Sequence, residues 1–143
     1  RHGPLVDSYN MVALSNVEGL GCHDVSSFPK DFTLFFKRAL GDEEIHVDIK
    51  KKKKITPGDL TYGVREGSLF TPLAWLGKQD KDNARYRLNE ETTAMMLTAI
   101  GNAETSLDYN VKVCQDVYEN IKLSSPDAKM ELRIGQFIAD SDV

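Results

Sequence analysis

Five consecutive cations, Lys50 to Lys54, stand in a chain whose net charge is −4, so the other residues carry −9 between them. Such a run can meet phosphate, either along a nucleic-acid backbone or in the headgroups of anionic lipid. Alternate side chains of a strand share a face, so Lys50, Lys52 and Lys54 are expected to form one row. Arg85 and Arg87 would share a face if their segment is a strand, with Tyr86 on the other face and not stacked beside them. No aromatic RNA-binding motif accompanies these cations, so nothing supports base-specific reading. The competing account is that lysines at an exposed sheet edge keep other strands from pairing there.

Cys22-His23-Asp24 places a thiol, an imidazole and a carboxylate in succession. A thiol nucleophile needs a base within hydrogen-bond reach, and the base needs an orienting partner. Adjacent side chains on an extended chain point apart, so the triplet is not by itself a triad. His46 is the distant partner that would complete a site at Cys22; an unreactive Cys22 is the simpler account. His2, His23 and His46 are the only histidines. With no CxxC and no His pair at helical spacing, neither a metal nor a cofactor is expected. Gly58, Gly63 and Gly67 match no phosphate-loop pattern, and the serine-hydrolase and zinc-protease motifs are missing. Glu43-Glu44 and Glu90-Glu91 read as a solvated turn and a helix start rather than as an acid–base pair. No specific small-molecule ligand can be inferred.

The elements that would position these groups begin with a chain of 143 residues, 41% apolar and 28% charged. That composition suits one soluble domain, 1–143, with polar stretches at 1–8 and 140–143 prone to fray. No apolar run approaches the ~20 residues of a membrane span. Arg1-His2-Gly3-Pro4 has no apolar stretch behind its charge and is not expected to act as a signal peptide. Cys22 and Cys114 are too few for a disulfide framework and read as free thiols, which favours a reducing, cytoplasmic setting.

Along the chain, Tyr9 to Leu14 reads as a short strand and Asn16 to Ser27 as a loop. Phe32 to Leu40 reads equally as a helix or as a strand turning at Gly41-Asp42 into the next. Phe28, Phe32, Phe35 and Phe36 are expected in the core, with an apolar pocket or subunit interface as the other possibility. Ile45, Val47 and Ile49 alternate with polar residues as a half-buried strand. Thr56 to Asp59 is a turn, Leu60 to Val64 a strand, Thr71 to Leu76 one or two helical turns, and Lys78 to Asn83 a loop. Asn89 to Ile100 is expected as a helix capped by Asn89 and ended by Gly101. Three strands follow, carried by Leu107 to Val113, Val117 to Leu123, and Met130 to Ile134 or on to Ile138. A helix over Asp116 to Leu123 competes with the second.

The expected class is α+β: an antiparallel sheet of about five to seven strands with one to three helices packed on it. The expected function is a non-enzymatic binding or assembly module, matrix-like, self-associating and touching an anionic surface through the lysine run. The alternatives are a cysteine-dependent enzyme using Cys22 with His23 or His46, and a sequence-independent nucleic-acid-binding module.

Overall fold

Alternation of Ile45 and Val47 with Glu44, His46 and Asp48 can bury one side chain in two, and this segment is a strand, but it ends at Asp48 and leaves Ile49, expected on the same face, exposed in the turn that follows. The computed structural model describes residues 20–77, 79–100 and 106–133. Among them are β1 (Leu20–Asp24), β2 (Thr33–Arg38), β3 (Glu44–Asp48), β4 (Lys51–Lys54), β5 (Leu60–Glu66), β6 (Leu69–Trp75), β7 (Lys81–Asp82), β8 (Met95–Ala99) and α1 (Leu107–Ser124). The strands form three antiparallel sheets. The class is α+β, with one strand more than the expected upper bound. The strand expected at Tyr9 to Leu14, the run beyond Arg133 and both terminal stretches lie outside the described residues. Contacts group the described residues into two compact units, one of 20–26, 88–100 and 106–132, the other of 27–77, 79–87 and Arg133.

In the second unit one sheet runs β2-β5-β6-β7, and β3-β4 is a separate hairpin. Phe32 to Leu40 contains a strand, not a helix, because each aromatic face finds a partner across β5. Phe36 meets Tyr62 with ring centroids 5.2 Å apart, and Phe35 meets Phe70 at 6.1 Å. The strand's partner is β5, from Thr33 opposite Arg65 to Arg38 opposite Leu60, and not the strand that follows Gly41-Asp42. The four phenylalanines are half-buried rather than core. The helical turns expected at Thr71 to Leu76 are the strand β6. Pro72 suits a helix start, but here it sits where the β5–β6 register shifts between Tyr62 and Gly63, a site that tolerates its missing N–H. Gly63 is required there, since a Cβ would collide with the Thr71 carbonyl oxygen. The expected turn at Thr56 to Asp59 is present, closed by Asp59 N–H donating to Thr56 O at 3.0 Å. Ala39, Ile45, Ile55 and Trp75 form a buried cluster, with Val47 packed against it.

In the first unit β1 pairs with β8, from Leu20 opposite Ala99 to Asp24 opposite Met95. A strand therefore occupies part of the expected loop Asn16 to Ser27, and β8 replaces the helix expected over Asn89 to Ile100. Asn89 still uses its side chain as a cap would: Oδ1 accepts from Glu91 N–H at 2.8 Å, and Thr92 N–H reaches the Asn89 carbonyl. These bonds close a turn instead of opening a helix. Ser26 Oγ then accepts from the N–H groups of Thr93 and Ala94, and Thr92 Oγ1 donates to Asp24 Oδ2, which holds the segment against β1.

The strands expected over Leu107 to Val113 and Val117 to Leu123 are a single helix, α1, so the competing helical reading was correct but too short. Ser106 caps it through Tyr109 N–H at 3.1 Å. Val113, Val117 and Ile121, four residues apart, bury one stripe against Met95, Leu97 and Ala128. Leu107 and Tyr109, half of the supposed strand face, are exposed. Met130 and Leu132 lie in irregular chain.

Candidate anion-binding hairpin

Lysine has no strand preference of its own, so β4 exists because β3 offers it a partner. Asp48 pairs with Lys51 across a two-residue loop, Ile49-Lys50. Neither loop residue has a positive φ, so this is not the turn that matches strand twist best. A register shift between His46 and Asp48 supplies the missing twist. Lys50 therefore lies in the turn and not in the expected row with Lys52 and Lys54.

Opposite residues of an antiparallel pair share a face. Lys52 faces His46, Lys54 faces Glu44, and Lys53 faces the fully buried Ile45. Lys53 places its ammonium 5.5 Å from the centre of the Trp75 ring. Lys50 through Lys54 are all exposed, and among the described residues none is held in an ion pair.

The base of the hairpin is fixed by Glu43. Its Oε1 accepts from Leu40 N–H at 2.8 Å and Gly41 N–H at 3.0 Å, and its Oε2 pairs with Lys37. Burial opposes the charge, yet the Lys37 ammonium and these backbone donors bring the carboxyl from 4.5 down to about 2. The Glu43 carbonyl also accepts from Ile55 N–H at 2.9 Å, tying the end of β4 back to the same corner. Glu43 was expected on a solvated turn; it is buried, and its charge is kept by donors that the chain supplies from within six residues, Lys37, Leu40 and Gly41.

A short 3-10 turn, Ala84–Tyr86, brings Arg85 toward the hairpin. The segment is not a strand, so Arg85 and Arg87 do not share a strand face as expected. Asn83 holds the turn: its Nδ2 donates to Pro72 O at 2.7 Å and its Oδ1 accepts from Arg85 N–H at 3.0 Å. His46 is held below its usual pKa by partial desolvation, then by the charges of Arg85 and Lys52, with Glu44 opposing them. Arg85, His46 and Lys52 are therefore electrostatic neighbours. Arg87 acts instead on Asp82, whose carboxyl is pushed up to about 6 by loss of solvent and by Asp80, with Arg87 opposing.

The other sequence-derived candidates are in the first unit. Cys22 and His23 are successive residues of β1, so their side chains leave the strand on opposite faces. Cys22 is half-buried; His23 is fully buried, and desolvation lowers its pKa to about 4. Asp24 is committed to the turn region through Ser26 N–H and Thr92 Oγ1. Neither Cys22 nor Cys114 is in a disulfide, and burial raises the Cys114 pKa. No group of three metal-ligating side chains occurs among the described residues. His46 belongs to the hairpin of the second unit. The chain matches no protein-family model, no curated protein and no solved structure.

Proposed function

We propose that this chain is a non-enzymatic binding module that contacts an anionic surface through the β3–β4 hairpin. The observation that carries the reading is the exposure of all five consecutive lysines with no ion pair among the described residues. Arg85 adds a cation beside His46 and Lys52 on the same hairpin. The remaining charge of −9 repels an anionic partner elsewhere, so the hairpin sets the direction of approach.

Co-sedimentation with anionic vesicles and a mobility shift with DNA and RNA test the reading. Binding is expected at low salt and should fade as the Debye length shortens from about 10 Å at 0.1 M to about 3 Å at 1 M. Replacing Lys50, Lys52 and Lys54 together by Gln should abolish it. Absence of binding by the parent protein at low salt would sink the reading, and so would full retention by the triple variant.

A further inference from the structure

We propose that the anionic surface is a lipid bilayer, on which the hairpin tip seats with Ile49 in the acyl boundary and the lysines among the headgroup phosphates. This inference rests on the lysine-hairpin reading above and adds the source of the anion and the orientation of contact. Ile49 occupies the two-residue loop at the tip and is 69% exposed, directly beside Lys50. A lone exposed aliphatic is ordinary on a protein surface. Here it forms the apex of a hairpin whose returning strand is entirely lysine, so one exposed branched aliphatic stands between Asp48 and Lys50, with four more exposed lysines behind it.

A phosphate backbone would engage the cations and leave Ile49 in water. A bilayer accommodates both, because its acyl layer begins just beneath its anionic headgroups. Lys50 at the tip is placed to meet those headgroups first, with Lys51, Lys52 and Lys54 behind it. No helix among the described residues is long and apolar enough to cross a membrane, so the contact proposed is peripheral. Each lysine at the surface should tighten binding about fivefold, and partial burial of Ile49 about tenfold.

The test uses the whole chain with three probes: phosphatidylcholine vesicles, the same vesicles containing phosphatidylserine, and a single-stranded oligonucleotide. Circular dichroism of each variant confirms the fold. The parent should sediment with the phosphatidylserine vesicles at low salt and not with phosphatidylcholine alone. Ile49→Ser should weaken that binding about tenfold. Ile49→Trp should gain an emission component that shifts to the blue on phosphatidylserine vesicles, while the buried Trp75 of the parent gives no such shift. Vesicle binding unchanged by Ile49→Ser, with no blue shift, would overturn the seating of Ile49 and leave the lysine reading standing. Binding of the oligonucleotide but not of vesicles would overturn the bilayer and leave an anion-binding hairpin. Binding to neither would overturn both.

Discussion

His23 on β1 and Glu43 at the β2–β3 corner are both withdrawn from water, His23 at 0% relative exposure and Glu43 at 7%, one in each unit. His23 is driven to its neutral form by desolvation, with its pKa at about 4. Glu43 remains charged although burial opposes the charge, because an ammonium and backbone N–H groups converge on its carboxylate. Burial disfavours charge unless groups of the opposite polarity, donors for an anion or acceptors for a cation, offset the lost water. The corner that bears the lysine hairpin is thus held by an ion, and the β1–β8 ladder carries a neutral ring.

The difference predicts two acid windows, which form the largest effect expected. An unfolded His23 takes up its proton near 6.5, whereas the folded residue resists until about 4. Acid therefore favours the unfolded chain, and about 3 kcal/mol should be lost as pH falls from 6.5 toward 4. Glu43 acts lower: the stability it contributes above 4.5 is lost as pH falls from 4.5 toward 2. Urea titrations read by helix circular dichroism, reporting α1, and by Trp75 fluorescence, reporting the second unit, should separate the windows. Identical midpoints from both probes at every pH would reduce the contrast to one between two groups, not two regions.

Next in size is Glu43→Ala, which leaves Lys37 and two backbone donors without their acceptor. A loss of about 2–3 kcal/mol is expected by denaturant titration at pH 7, together with disappearance of the lower acid window. A loss below about 0.5 kcal/mol would show that the corner does not depend on the carboxylate. Asn83→Ala tests whether a neutral buried polar group with two hydrogen bonds matters less. About 1–2 kcal/mol is expected, from two lost side-chain hydrogen bonds. The smallest effect belongs to the lysines. Replacing Lys50, Lys52 and Lys54 by Gln should change stability by no more than about 0.5 kcal/mol, because exposed cations add little. A larger loss would mean that the run supports the hairpin itself.

Where a local pattern had only one use, it was legible. Ile45 and Val47 alternate on a strand, Thr56 to Asp59 turn, and Leu60 to Val64 extend, as their types imply. Asn89 was ambiguous in a way that its neighbours could not reveal, since the same hydrogen bonds serve a helix cap and a turn. The strand β1 decides between them by offering Met95–Ala99 a ladder. Leu107, Tyr109, Val111 and Val113 alternate like a strand, while Val113, Val117 and Ile121 repeat like a helix. The second pattern prevails because it faces Met95 and Leu97. The Ser106 cap was the signal that could have found it.

The sequence by itself determined the α+β class, the exposure of Lys50 to Lys54 and their place beside a half-buried strand. These follow from composition and from a period of two, which are properties of the chain within a few residues. Tertiary structure alone decided that Glu43 is a buried anion and that Arg85, rather than Arg87, joins His46 and Lys52. It also decided that Ile49 stands at the apex of the hairpin instead of inside it. The place of Arg85 depends on groups distant in sequence, such as Pro72, whose carbonyl accepts from Asn83, whereas the donors to Glu43 and the Asp48–Lys51 pairing lie within a few residues and follow from the register of the hairpin. No local propensity encodes the free energy of such convergence.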